Sequence, residues 1–351
     1  MNKSHLTSAL LLILFLSNSD LISQNHFARA HSNPLKKCSE KDVIRFTDSI
    51  AINQSNSKFY YWRGDRYLSC GKLQEALNDC NTAIKLADSS KNYLQRAEIY
   101  VELRKIKEAS ADIDYLIING TNYAMAYYLK ALTINSRNVN VNSIKYFKEA
   151  IKKDSLFPFE NVFFHYCYAK DFWCDYGYAM REISDLVNAD KAYKMALNSA
   201  AKNELTSMEY KTWADINYKL KDYYKAIQLC NKGIDKKQDD YGLYLLRGLC
   251  KTELNDLRGS ILDFEVMAKN QPNSVVYLML GESYMKLNMT AEALASFSKS
   301  IELDGQQGTA YYYRGLVRLG LKQKNLGCLD LSKAGELGVK KAYSMIEMLC
   351  Y

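Results

Sequence analysis

Histidine and cysteine are the residues of this chain with the greatest capacity for catalysis or metal binding. Three of the four histidines lie within the first 31 residues, so only His165 falls in the body of the chain. Cys167 and Cys174 are seven residues apart, which is not metal-site spacing, and no second ligand pair accompanies them. The sequence has no glycine-rich phosphate loop and no histidine suited to activate a nucleophile. We therefore expect no enzyme, no metal and no cofactor.

The composition is typical of a folded helical protein. Of 351 residues, 48% are hydrophobic and 25% charged, with only 3 prolines and 16 glycines. The formal net charge of +8 is spread along the chain without a dense basic block. We therefore expect no nucleic-acid partner.

The first residues predict a secretory signal peptide within residues 1–30. Lys3 gives a basic start, and the apolar stretch from Leu6 to Leu16 is shorter than the roughly 20 residues of a membrane-spanning helix. Candidate cleavage sites are Ser19, Ser23 and the run 28–30. We favour a cleaved signal over a membrane anchor, and so expect a periplasmic or secreted protein that is not inserted in the membrane.

The chain repeats internally with a period near 34 residues. A small residue recurs at intervals of 33, 34, 46, 37, 34, 33 and 34, at Gly64, Ala97, Ala131, Gly177, Ala214, Gly248, Gly281 and Gly315. Four residues before each is an aromatic: Tyr60, Tyr93, Tyr127, Trp173, Tyr210, Tyr244, Tyr277 and Tyr311. Sixteen residues after each is an apolar residue: Cys80, Ile113, Phe147, Tyr193, Cys230, Phe264, Phe297 and Leu331. Such a unit fits two short helices, which bury their apolar faces only when neighbouring pairs stack.

These columns resemble the tetratricopeptide repeat (TPR). The pattern is carried best by Trp173, Tyr176, Gly177, Ala189, Tyr193 and Ala196, and by Tyr277, Leu280, Gly281, Tyr284, Ala293 and Phe297. The chain departs from the family in keeping a late proline only once, at Pro272. The resemblance covers residues 57 to 341 and implies an all-α, right-handed superhelical solenoid of about eight helix pairs.

Capping helices are expected at both ends of the array. Ser39 and Asp42 predict a helix start, so residues 31–56 read as a linker and an N-terminal capping helix. Units 1–3 then occupy 57–157, an aromatic insertion 158–169, units 4–8 residues 170–340, and a C-terminal capping helix 341–351. Its Ala342, Ile346 and Leu349 are expected to face inward.

One cysteine pair follows from this arrangement. If the last two helices form a hairpin that turns near residue 339, Cys328 and Cys350 lie opposite each other, eleven residues on either side. Either a disulfide joins them and holds the end of the array, or both are small core residues, as we expect for Cys80 and Cys230.

The fourth unit is interrupted. The 46-residue interval carries twelve extra residues, and ten aromatics fall between Phe157 and Tyr178. The favoured interpretation is a long first helix whose rings fill the space between units. The alternative is an aromatic surface that anchors a partner, with Phe163, Phe164, Tyr166 and Tyr168 as its candidates.

The resemblance also implies a binding groove lined by first helices. Residues one and five places after the aromatic column are expected there: Tyr61, Asp65, Glu98, Tyr128, Tyr178, Lys211, Asp215, Leu245, Leu249, Leu278, Glu282 and Tyr312. Family members that clamp a terminal carboxylate use Lys and Asn at such places, and only Lys211 occurs. A groove of aromatic and acidic residues suits a partner segment with apolar and basic side chains.

The sequence therefore predicts a non-catalytic protein-binding scaffold of the cell envelope or the secreted fraction. The alternative is a helical-repeat protein that binds glycans or nutrients at the cell surface. Only 3 Trp and no cysteine close behind the signal disfavour that alternative.

Overall fold

The computed structural model describes residues 38–121, 123–135, 141–153, 165–199 and 205–351, without the side chains of 135, 141 and 165–169. These residues form eighteen α-helices and no strand, which confirms the all-α prediction. The first nine are α1 (Glu40–Ile52), α2 (Ser57–Ser69), α3 (Leu73–Leu86), α4 (Ser90–Glu102), α5 (Ile106–Ile118), α6 (Ala124–Asn135), α7 (Val141–Lys153), α8 (His165–Glu182) and α9 (Leu186–Ser199). The others are α10 (Ser207–Lys219), α11 (Tyr223–Lys236), α12 (Tyr241–Glu253), α13 (Leu257–Asn270), α14 (Ser274–Lys286), α15 (Thr290–Leu303), α16 (Gly308–Gly320), α17 (Lys324–Glu336) and α18 (Lys341–Leu349).

The described helices belong to two compact units, one ending at Leu205 and the other comprising Thr206–Tyr351. Each unit contains four helix pairs, so the predicted eight pairs are present. The pairs are α2 with α3, α4 with α5, α6 with α7 and α8 with α9 in the N-terminal unit, and α10 with α11 through α16 with α17 in the C-terminal unit. Within a unit, the second helix of one pair packs against the first helix of the next.

Close helix packing explains the columns of the repeat. A Cβ atom added at Gly281 on α14 would lie 2.5 Å from the Phe297 ring on α15, and Gly248 meets the Phe264 ring at the same distance. The small residue therefore admits the ring of its partner helix. The eight apolar-column side chains are all at most 1% exposed.

Each described turn inside a pair contains one residue with positive φ. Gly71 has φ 71°, whereas Asn255 and Asn288 accept φ 62° and 59° at the equivalent turns. In the second pair the residue with positive φ is Arg104, at 56°. The backbone N–H of the next residue, Lys105, donates a hydrogen bond to the Tyr100 carbonyl and so closes the C-terminus of α4 in a Schellman motif. This local closure folds each second helix back onto the first.

Helices α1 and α18 flank the pairs as the predicted caps. The Ser39 hydroxyl accepts a hydrogen bond from the Asp42 backbone N–H at the start of α1, and Phe46 and Ile50 are buried. In α18, Ala342 is fully buried, but Leu349 is 38% exposed. The prediction that Leu349 faces inward is therefore wrong. Leu349 is the last residue of α18, and among the described helices none follows to cover it.

A disulfide fastens the terminal helix of each unit. Cys328 on α17 is bonded to Cys350 after α18, with Cα atoms 5.8 Å apart, as the hairpin interpretation predicts. Cys38 is bonded to Cys70 with Cα atoms 4.5 Å apart, a pair that sequence reasoning missed. Cys80 and Cys230 are buried thiols, as expected.

The fourth pair begins with the long helix that the interruption predicts, because α8 has 18 residues where the other first helices have 12 or 13. The predicted signal peptide, Phe163 and Phe164 lie outside the described residues. Tyr166 and Tyr168 lie on the backbone of α8, but their side chains are not described.

Candidate functional site

The first helices of each unit share one surface, here called the inner face. In the N-terminal unit α4 contacts both α2 and α6, and in the C-terminal unit α10 contacts α12 and α14 contacts α16. These contacts bring side chains from consecutive repeats together. An extended or helical ligand crossing the inner face would therefore meet residues from several repeats.

All twelve predicted groove residues lie on first helices. Seven are buried: Asp65, Glu98, Tyr128, Tyr178, Asp215, Leu245 and Leu278. Five are half-buried: Tyr61, Lys211, Leu249, Glu282 and Tyr312. The half-buried group has the greater access to a ligand, and the buried group supplies local charge and shape.

The inner face of the N-terminal unit carries several neighbouring acidic residues. Burial raises the pKa of Tyr61 well above its usual value, and the neighbouring carboxylates of Glu98 and Asp65 raise it further. Burial next to Glu98 raises the pKa of Glu102 to about 8. Asp65 forms an ion pair with Arg66 at 3.0 Å. Acidic and phenolic groups from α2 and α4 therefore lie close together.

Tyr128 connects the third and fourth pairs of this unit. Its hydroxyl donates a 2.7 Å hydrogen bond to the Asp175 carboxylate on α8, and its ring packs edge-on against Phe172 at 5.2 Å. Phe147 on α7 lies beside both rings. The aromatic residues of this region that the structure describes therefore pack largely against one another, in line with the favoured interpretation of the interruption.

The inner face of the C-terminal unit is more apolar. Leu245 belongs to the buried cluster between α12, α13 and α14, and Leu278 to that between α14, α15 and α16. Lys211 is engaged within the protein, because its ammonium donates to Asp240 at 3.0 Å. Burial raises the pKa of Glu282 to about 7, although Lys286 and Lys341 oppose the shift.

Sequence reasoning missed a set of Arg–Asp pairs that join the two helices of a repeat. Each guanidinium donates at least two hydrogen bonds of 2.6 to 3.2 Å to a carboxylate sixteen residues later: Arg63 to Asp79, Arg96 to Asp112, Arg247 to Asp263 and Arg314 to Asp330. The same arginines reach back to the preceding helix through Thr47, Asn81, Asn231 and Ser298. Each arginine therefore ties three helices together and holds the inner-face helices in place.

The signal for these pairs is visible in the sequence. The arginine directly precedes the small column and the aspartate directly precedes the apolar column in units 1, 2, 6 and 8. In unit 5 the corresponding residues are Trp213 and Leu229, and in unit 7 Leu280 and Ser296. The arginine and the aspartate occur together or not at all, which indicates contact between them.

Two further properties concern the whole described chain. Among the residues that the structure describes, no three His, Cys, Asp or Glu side chains come together in a way that could hold a metal ion. Within the same residues, no helix combines the length and hydropathy needed to cross a membrane.

The family model for the tetratricopeptide repeat matches residues 57–89 and 275–307, which are repeats 1 and 7. The chain therefore contains tetratricopeptide repeats. It is 32% identical over 108 residues to heat shock protein STI1 of Saccharomyces cerevisiae, covering 30% of this chain and 18% of that protein. It is 34% identical over 74 residues to human DnaJ homolog subfamily C member 7, covering 20% of this chain and 15% of that protein. These matches thus span less than a fifth of either relative.

Among solved structures, the C-terminal part of a TPR repeat-containing protein from Cytophaga hutchinsonii is similar to this chain with a TM-score of 0.50. The similarity covers 71% of this chain and 97% of that one at 15% sequence identity. Likeness at this level supports the helical-repeat fold.

Proposed function

We propose that this protein is an exported scaffold whose inner faces hold segments of partner proteins that carry apolar and basic side chains. Proteins with tetratricopeptide repeats bind other proteins, which supports the general role. The observation that carries the finer proposal is that Asp65 and Glu98, on the first helices of two consecutive repeats, both lie near Tyr61. Carboxylates close to aromatic rings favour a cationic partner.

The cysteine pattern supports export. The Cys38–Cys70 and Cys328–Cys350 pairs are bonded, and structural disulfides persist in oxidising compartments. The thiols of Cys80, Cys230 and Cys250 are buried. Fractionation of cells that express the C-terminally tagged full chain tests this part. We expect an envelope or medium fraction whose mature N-terminus lies within or just after residues 1–30. Uncleaved protein in the cytoplasm would contradict export.

Site-directed photocrosslinking tests the inner face. A photoreactive phenylalanine replaces Tyr61 in one variant, and in a matched control it replaces Tyr224, which is 72% exposed on the second helix α11. We expect the Tyr61 variant to capture a defined partner in intact cells and the Tyr224 variant not to capture it. Equal capture by both variants would exclude the inner face as the binding surface.

Charge reversal tests the chemistry of binding. Glu98→Lys and Asp215→Lys each place a cation on the inner face of one unit, and Asp235→Lys makes the same change at an exposed residue of α11. We expect the first two to weaken partner capture and the third to leave it unchanged. Because Glu98 and Asp215 are buried, the charge reversals could also weaken capture by destabilising the fold. The neutral variants Glu98→Gln and Asp215→Asn control for this: if their melting temperatures are unchanged, a loss of capture comes from the lost charge. Unchanged capture by both reversals would refute an acidic groove.

A further inference from the structure

Glu282 occupies an unusual position on the inner face of the C-terminal unit. It lies one helical turn after Leu278 on α14, on the same side of the helix. Helix α14 contacts α16, and the charge of Glu282 raises the pKa of Tyr313 on α16, after the larger effect of burial. The ammonium groups of Lys286 on α14 and Lys341 on α18 favour the charged carboxylate and so oppose the rise in its pKa that burial causes.

A second acid at the same place in the repeat shows what Glu282 lacks. Asp215, five residues after the aromatic of unit 5, forms a 3.1 Å ion pair with Lys219 one turn later. Glu282 has Lys286 at the same spacing, but in the described part of the chain no hydrogen bond or ion pair reaches its carboxylate. A carboxylate that is partly withdrawn from water without a compensating donor destabilises the unbound protein.

The surroundings of Glu282 suit a long cationic side chain. Tyr313 packs against the cluster that contains Leu278, and the Tyr312 and Tyr313 ring centroids are 5.4 Å apart. Tyr312 is half-buried and so partly accessible. An alkyl stem can lie along Leu278 and the rings while its charged end meets the carboxylate. A polar uncharged side chain would gain only part of this interaction.

We propose that Glu282 is the anchoring acid of a subsite that receives one lysine or arginine side chain of a bound partner segment. This inference rests on the proposed function, because it assigns one place on the inner face to one residue type of the partner.

The experiment uses the disulfide-bonded full chain and a positional-scanning array of 12-residue peptides. Wild type, Glu282→Gln and the control Asp235→Asn, at an exposed residue of α11, are compared on the array, and the tightest peptide is then measured in solution. We expect wild type and Asp235→Asn to select lysine or arginine at one peptide position. We expect Glu282→Gln to lose that selection and about tenfold or more in affinity.

A substitution in the peptide, combined with Glu282→Gln, makes a double-mutant cycle that measures the interaction between the two side chains. Replacing the selected basic residue of the tightest peptide by norleucine removes the charge and keeps the alkyl stem. We expect this peptide to bind wild type about tenfold or more weakly and Glu282→Gln with unchanged affinity, because the interaction is already absent in that variant.

The outcomes separate the subsite from the general function. Peptide binding without basic selection, or basic selection retained by Glu282→Gln, would overturn the subsite and leave segment binding intact. Equal loss in Asp235→Asn would also overturn it, because the preference would then come from overall charge. A wild-type protein that binds no peptide of the array would count against segment binding and the subsite together. Glu282→Gln should melt no lower than wild type, and a lower melting temperature would show a structural acid instead.

Discussion

The Arg–Asp pairs allow a quantitative comparison between two repeats that differ in one cation. The Asp112 carboxylate is bonded by Arg96 alone among the described cations, whereas Asp263 is bonded by Arg247 and by Lys251 at 2.8 Å. Removing Arg96 therefore leaves a buried carboxylate without a cation. Removing Arg247 leaves a carboxylate that keeps one.

The expected magnitudes follow from this difference. Breaking a buried ion pair costs about 3 to 5 kcal/mol, and the lower end applies here because the Arg96 and Asp112 side chains are 21% and 8% exposed. We expect Arg96→Met to destabilise its repeat by about 3 kcal/mol and Arg247→Met by about 1.5 kcal/mol. Both variants also lose one bond to an asparagine of the preceding helix, Asn81 or Asn231, so that loss cancels in the comparison.

The assay is amide hydrogen exchange in low urea, because long repeat arrays do not unfold in two states. The opening free energies of α4 and α5 report Arg96→Met, and those of α12 and α13 report Arg247→Met. The double variant Arg96→Met with Asp112→Leu should recover most of the loss, since it removes both charges. Equal costs for the two single variants, or no recovery in the double variant, would refute the reasoning.

Three further changes have defined outcomes. The double variant Cys328→Ser with Cys350→Ser removes one disulfide and should lower the stability of its unit by about 3 kcal/mol, by the chain-entropy relation. Amide hydrogen exchange should become faster in α18 and stay the same in α2. Unaltered protection in α18 would contradict this. Gly281→Ala should destabilise by about 1 to 3 kcal/mol through its ring contact, whereas Gly305→Ala, with nothing within 4 Å, should change stability by less than about 0.5 kcal/mol. The raised pKa of Glu282 means that its favourable contribution is complete below about pH 4.5 and lost as pH rises to about 7. Hydrogen exchange of α14 and α15 at pH 8 should therefore show an opening free energy up to about 3 kcal/mol higher in Glu282→Gln than in wild type, and no gain would contradict the shift.

Much of the fold could be predicted from the sequence because the repeat is local. The aromatic, small and apolar columns define eight helix pairs, since each column reports a contact inside one pair or with its neighbour. The Cys328–Cys350 bond could be placed because both cysteines lie on one hairpin with a predictable turn. The Arg–Asp pairs were equally visible, since both charges occur at fixed places in the same four units, but only the structure directed attention to them.

Other features depended on contacts that have no fixed spacing in the repeat. Cys38 precedes the capping helix α1, so its pairing with Cys70 followed only from how α1 packs against α2. The place of each residue in the repeat predicted which residues line the groove. It did not predict how deeply each one is buried, because burial depends on the side chains of the adjacent pair.

The sequence by itself determined that the chain forms stacked helix pairs, because the periodic columns report contacts within and between pairs, and the family resemblance implied a groove lined by first helices. Only the tertiary structure decided which acids on this surface are compensated. Asp215 and Glu282 share one place in the repeat and have a lysine at the same spacing, but only Asp215 is paired. The physical reason is that the side chains of adjacent helices, which differ between the two repeats, decide where each carboxylate and each lysine can lie.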